Sequence, residues 1–167
     1  MPELALKERL QPSLLDRLTD DAPRSRVESH EKRVLTAAQL QESVVRDLSW
    51  LLNTVNLACC QDLTNFPLLQ QSVINYGVPA LSGALASGLD PHLLAQQIAA
   101  AIRSFEPRLL PDSIRVSTQL AEHDMSVNAV RFLIEAILWS QPLPIELFLR
   151  AEVDLDTGDF KVTDQSR

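Results

Sequence analysis

Apolar positions along this chain change their period once, and the change divides it. From Thr36 onward, Leu40, Val44, Leu48, Leu51 and Val55 recur at helical spacing. Thr36 and Gln39 form a capping box that marks the helix start, and its end is expected near Asn53–Asn56. A second stripe, Leu94, Ile98, Ala101, Ile102 and Phe105, opens with Asp90 as N-cap and Pro91 at the first helical position. It stops before Glu106, because a residue preceding proline is pushed out of helical backbone angles. Beyond it the apolar period falls from about 3.6 to about 2. Ile114, Val116, Thr118 and Leu120 alternate. Next come Val130, Phe132, Ile134, Ala136 and Leu138, with Arg131, Glu135 and Trp139 on the opposite face. Ile145, Leu147, Leu149, Ala151 and Val153 follow, and "DLDTGDFKV" reads as a hairpin with Asp156, Thr157 and Gly158 at its tip. Helices first and strands after predict an α+β fold, N-terminal helices followed by an antiparallel β meander of about four strands.

Two regions lack a strong period. Residues 1–35 read as an arm. "PSLLDRLTDD" predicts a short amphipathic helix with Leu14, Leu15 and Leu18 on one face and Pro12 at its start, and "DAPRSRVESHEKRV" a polar linker. A loosely ordered tail and an arm that orders against a partner both fit that composition. Residues 36–164 are expected to form a single α+β domain. Within it, "CCQDLTNFPLLQQSVINYGVPALSGALASG" is irregular, with one helical turn around Leu68–Ile74 and punctuation by Gly77, Pro79, Gly83 and Gly88. Asn75, Tyr76 and Gly77 predict a turn built on a left-handed position; together with Pro79 they are expected to shape the loop rather than touch a partner.

Composition narrows the function classes. A chain of 167 residues can bury a real core, and 46% hydrophobic with 22% charged residues excludes wholesale disorder. The net charge of -7 argues against nucleic-acid binding, which needs a basic face. Residues 1–35 balance acids and bases, whereas the last sixty residues carry an acidic excess. No apolar run reaches the ~18–20 residues needed to span a bilayer. The charged start "MPELALKERLQPSLLDRL" has no apolar signal core, so a cytoplasmic location without membrane insertion is expected. Cys59 and Cys60 are adjacent, which disfavours a mutual bridge, and they lack the spacing of a zinc site. They are expected to be small, partly buried side chains in a reducing compartment.

Catalytic patterns are weak. A glycosidase needs two carboxylates across a cleft. Glu106 is one candidate acid and Asp112, Glu135 or Asp47 a nominal second, but no spacing selects a pair and few aromatics could stack a sugar. His30, His92 and His123 are scattered, no serine or cysteine sits in a strand–turn–helix elbow, and no ligand spacing or phosphate loop is present. Catalytic, cofactor-binding and metal residues are therefore none. There remains "FEPRL": Pro107 ends the helix and fixes the exit of the chain, so Glu106 and Arg108 project from a rigid connector. Rigid presentation lowers the ordering cost of binding, and arginine is a frequent interface anchor. An internal ion pair stapling helix to sheet fits the same residues equally well.

Four blocks occur in a telling order: "SVVRDLSWLLNT", "SVINYGVPALSG", "IRSFEPRL", and "FLIEAIL" with its later "DLDTGDFKV" hairpin. Together, over roughly residues 12–162, they resemble the TssE family of type VI secretion baseplate subunits, which is similar to the small wedge protein of contractile phage-tail baseplates. The family is labelled lysozyme-like although its members are understood as structural. The resemblance implies a non-enzymatic baseplate component, without cofactor, that joins the wedge to the first ring of the contractile sheath and helps to start sheath assembly. It maps the family's Glu-Pro-Arg loop onto Glu106, Pro107 and Arg108, and implies that they dock onto the helical core bundle of the larger wedge subunits TssF and TssG. It likens the C-terminal strands to those that meet the sheath proteins TssB and TssC. Such a contact would add a strand to a sheet edge at 145–154 and 158–163, whose acids favour a basic partner. Sixfold symmetry implies six copies per baseplate, at the cytoplasmic face of the inner membrane, and an isolated chain that is monomeric. One departure stands out: after "LLNT", where relatives often carry basic residues, this chain has "VNLACC". The family label leaves a peptidoglycan muramidase as the enzyme alternative, and a wedge protein of another contractile machine as a third reading.

Overall fold

The computed structural model describes residues 13–19, 36–81, 90–119, 129–140 and 143–165. Helix α1 is Leu14–Leu18, α2 is Ala37–Leu52, α3 is Pro67–Gln70 and α4 is Pro91–Phe105. Strands β1 (Arg115–Gln119), β2 (Ala129–Leu138), β3 (Ile145–Asp154) and β4 (Phe160–Asp164) form one antiparallel sheet in the order β1-β2-β3-β4. The α+β class and the meander agree with the change of period.

Local chemistry sets the helix ends. The Thr36 hydroxyl accepts from the Gln39 backbone N–H at 3.2 Å and the Gln39 side chain accepts from the Thr36 N–H at 2.9 Å, which satisfies two donors at the start of α2. Asp90 accepts from the backbone N–H groups of His92 and Leu93 ahead of α4. The stripes of α2 and α4 then meet the inner face of the sheet. Leu48, Leu51, Ile98 and Ile102 pack with Phe132, Ile134, Leu138, Leu147 and Leu149 in one core. Burying a side chain of that size contributes about 2 kcal/mol.

Three sequence expectations need correction. Val55 lies beyond the end of α2: Asn53 caps the helix, and Val55 is exposed and bridges Val78. The leucines of α1 face outward, Leu14 being 71% and Leu18 74% exposed. Its polar side meets α2, because Asp16 is drawn to Arg46 and Ser43. Cys59 and Cys60 are both exposed, since they fall at the end of a surface 3-10 turn, Leu57–Cys59, that buries none of its residues. The predicted helical turn around Leu68–Ile74 divides into α3 and a 3-10 turn, Val73–Asn75. The linker of residues 20–35, Gly83, Gly88, Leu120, His30 and His123 lie outside the described residues.

The irregular segment is tied to α2 through backbone. Gly77 has φ +123°, and Val78 donates to the Thr54 carbonyl at 2.8 Å while Asn56 donates to the Val78 carbonyl at 3.0 Å. Asn75 is buried; its side chain accepts from Ala58 N–H and donates to the Gln70 carbonyl. Tyr76 meets the Phe105 ring edge-on, with centroids 5.3 Å apart, so this loop packs beside the end of α4.

Candidate functional site

Chain direction at the end of α4 is set by Pro107. Glu106 leaves the helix with extended-side backbone angles and turns its carboxylate inward, 5% exposed. Arg108 folds back over it: Nε donates to Oε1 at 2.7 Å and Nη2 to Oε2 at 2.6 Å, a forked pair. The Arg108 backbone N–H adds a bond to Oε1 at 3.1 Å. The same guanidinium reaches α2, where Nη2 donates to Asp47 Oδ2 at 2.6 Å and Nη1 to Ser43 Oγ at 3.0 Å. On the other side the corner is sewn to the sheet, since Trp139 N–H donates to the Arg108 carbonyl and Leu110 N–H to the Ile137 carbonyl, both at 2.9 Å. Glu106 and Arg108 thus form an internal ion pair that links α4, α2 and β2. Arg108 remains 23% exposed, and Pro107 is exposed at the apex.

The cluster extends to α1. Ser43 Oγ donates to Asp16 Oδ2 at 3.0 Å, and Arg46 donates to Asp16 Oδ1 at 2.6 Å and to Asp47 Oδ1 at 2.8 Å. Arg46 also lies 5.0 Å over the Trp50 ring. Burial by itself would lower the Arg108 pKa; the hydrogen bonds and charge of Glu106, then those of Asp47, outweigh it and hold it above its ordinary value. The hydrogen bond to Asp16, opposed by burial and reinforced by Asp47, raises Arg46. Burial, then the charges of Asp47 and Glu106, raise the Tyr76 hydroxyl. For Asp16, burial pushes the pKa up, but bonds from Arg46, Ser13 and Ser43 and the Arg46 charge prevail and bring it to about 2.

A depressed carboxylate contributes stability above its unfolded pKa and loses it as pH falls through the folded value. The Asp16 contribution is therefore present above the unfolded value of about 4 and is lost as the pH falls through about 2. Arg46 is partly exposed, so screening limits the effect to about 1 kcal/mol. Urea unfolding of wild type and Asp16→Asn should differ at pH 6 and converge towards pH 2; a pH-independent difference would contradict the ion pair.

Of the remaining candidate acids only Asp47 shares an open groove with Glu106, and there the two carboxylates are bridged by Arg108. Asp47 reaches the same Arg108 nitrogen, Glu135 is on the outer face of β2 opposite Arg115, and Asp112 is exposed on a 3-10 turn. Both Glu106 oxygens are engaged by Arg108. His92 sits in the first turn of α4, away from the cluster. Among the described residues no three His, Cys, Asp or Glu side chains gather as a metal site, and no helix is long and apolar enough to cross a membrane. Sequence reasoning singled out Glu106, Pro107 and Arg108 but missed Ser43, Arg46 and Asp16. The spacing of Ser43, Arg46 and Asp47 along one side of α2 was the available signal.

The sheet edges form a second candidate surface. In the β3–β4 pair, Gln165 N–H donates to Phe148 O and Asp154 N–H to Asp159 O, so Phe160, Val162 and Asp164 point their backbone groups outward. Asn53 closes the first of these, donating to Phe160 O at 2.9 Å and accepting from Phe160 N at 2.8 Å. At the opposite edge, Ile137 directs its backbone groups towards the β1 side, where Leu110 N–H and Ser113 Oγ meet them. By the register Arg115↔Glu135, Ile114, Val116 and Thr118 then point outward.

The fold is an α+β domain whose buried charges are spent on joining its own elements and whose sheet ends in two edges. Residues 38–143 match the family model described as baseplate wedge protein gp25. The match spans well over half of the chain, and the chain belongs to that family. No curated protein and no solved structure matches it significantly. Its role is structural, in a baseplate of the contractile-tail kind.

Proposed function

We propose that this chain is a wedge subunit of a type VI secretion baseplate, of the TssE kind, at the cytoplasmic face of the inner membrane. In this reading Glu106, Pro107 and Arg108 dock onto the helical bundle of TssF and TssG, with six copies in the assembled baseplate. The observation that carries the reading is the clamped corner. Its internal ion pair keeps Pro107 outward beside an open groove of about 460 Å³, whose lining includes Leu15, Trp50, Tyr76 and Phe105. A rigid apex with an aromatic beside it suits the apolar side of a partner helix, because little order is lost on docking. The second attachment is to TssB and TssC of the sheath, by strand addition along β4 alone, since β3 is paired on both sides by β2 and β4; past the Asn53 clamp, Val162 turns its backbone groups outward.

Co-expression with TssF and TssG tests the docking. Wild type should be captured. Trp50→Ala, at a half-exposed position, should weaken capture by about 1–3 kcal/mol, whereas Glu106→Ala, at a buried position, should weaken it only as far as it loosens the corner. Melting curves of both variants separate lost contact from lost fold. Failure of folded wild type to be captured would remove the type VI assignment and turn attention to the wedge of another contractile machine.

A further inference from the structure

The edge of β1 is chemically unlike that of β4. Beside it runs a groove of about 390 Å³ between α4 and the strand. Its α4 wall carries the small residues Ala95 and Ala99, and the outward N–H and C=O groups of Val116 and Thr118 have no partner among the described residues. One end is closed: Arg103 Nη2 donates to the Ile114 carbonyl at 2.9 Å and Nε to the Pro111 carbonyl at 3.3 Å. The charged and titratable groups at the groove are Arg103 and His92 on its α4 side and Arg115 on the outer face of β1, where Glu135 of β2 stands across from it. Neither arginine has an ion pair among the described residues. In a chain of net charge -7 this is a basic strip beside open strand groups.

We propose that the β1 edge accepts an extended, acidic strand from another protein. Outward groups two residues apart match the repeat of an added strand, and backbone pairing supplies affinity without regard to sequence. Arg103 supplies the selection, since carboxylates on the α4 side of the added strand meet it while lysines are repelled. Arg103 also stops the added strand short of Ile114 and so fixes its register. The sheet thereby sorts its partners by charge, an acidic strand on β1 and a basic one on β4. The β1 proposal does not depend on docking through Glu106–Arg108, so loss of TssF and TssG capture would leave it standing.

The probe is a pair of synthetic decapeptides in which Val and Thr alternate with Glu or with Lys, added to isotope-labelled full-length protein and followed by amide shifts and hydrogen exchange. The Glu peptide should protect the Val116 and Thr118 amides and bind about tenfold more tightly than the Lys peptide. Arg103→Gln should remove most of that preference. Thr118→Pro should abolish binding with the sheet intact, because the N–H it deletes points away from β2. Equal binding of the two peptides, protection at Val162 and Asp164 instead, or no protection at millimolar peptide would each overturn the proposal. Protection of the β1 amides without peptide, growing with protein concentration, would make the occupant a second copy of the chain and overturn it as well.

Discussion

Replacing Arg108 with alanine should destabilise the protein by about 3 kcal/mol, because it strands the nearly buried Glu106 carboxylate without its forked partner and leaves Asp47 without its bond across to the corner. For a domain of this size that corresponds to a fall in melting temperature of roughly 6–12 °C. Arg108→Lys should recover only part of the loss. An ammonium is a point charge and cannot span both Glu106 oxygens, Asp47 and Ser43 at once. A cycle pairing Arg108→Ala with Glu106→Ala should show the two losses to be strongly non-additive, as expected for direct partners. Thermal melts of the four proteins at two ionic strengths decide the matter. An unchanged melting temperature for Arg108→Ala would mean that the pair does not join the helices to the sheet in solution. The same data bear on docking, since capture lost in a variant that has also lost stability says nothing of contact.

Gly77→Ala should be at least as damaging, on the order of 3–5 kcal/mol, at a residue that contributes no side-chain contact at all. Its φ of +123° is open to glycine and strained for any other residue, and a Cβ built there would stand 2.2 Å from the Thr54 carbonyl oxygen. Relief requires Thr54 to move, and Thr54 O is the acceptor for Val78 N–H. The bridge Val55↔Val78 and the seat of Asn75 against Ala58 would loosen with it. Gly158 offers the comparison: its φ is +81°, but it lies in the β3–β4 turn, so Gly158→Ala should cost only about 1 kcal/mol. Urea unfolding of both variants checks the ranking. Equal small effects would place the 54–78 contact outside the cooperative unit.

Much of this architecture was legible because its causes are local. Asp90 and Pro91 begin α4 and the pair Glu106–Pro107 ends it through groups a few residues apart. Alternation along β2 and β3 reports faithfully which side chains face the helices, because the strand period leaves one choice of face. Val55 misled for the opposite reason. Helical spacing continues to it, yet α2 stops at Asn53, whose side chain serves Phe160 from 107 residues away. The α1 leucines follow an amphipathic pattern, but a five-residue helix is positioned by its one strong contact, Asp16 to Arg46, and not by its apolar face.

At the Glu106–Pro107–Arg108 corner the two kinds of information meet. The sequence by itself determined that these residues stand at a rigid exit from a helix, since proline constrains its neighbour whatever surrounds it. Only the tertiary structure decided where the guanidinium goes. Ser43 and Asp47 lie 65 and 61 residues before Arg108, and their arrival depends on α2 packing beside the end of α4. The edges of the sheet divide in the same way. Strand positions and faces were readable in the alternation, but which backbone groups remain open is set by Asn53 and Arg103, side chains delivered from the helices. Backbone restraints act along the chain and can be read from it; charge pairing and edge protection act across space and exist only once the core has formed.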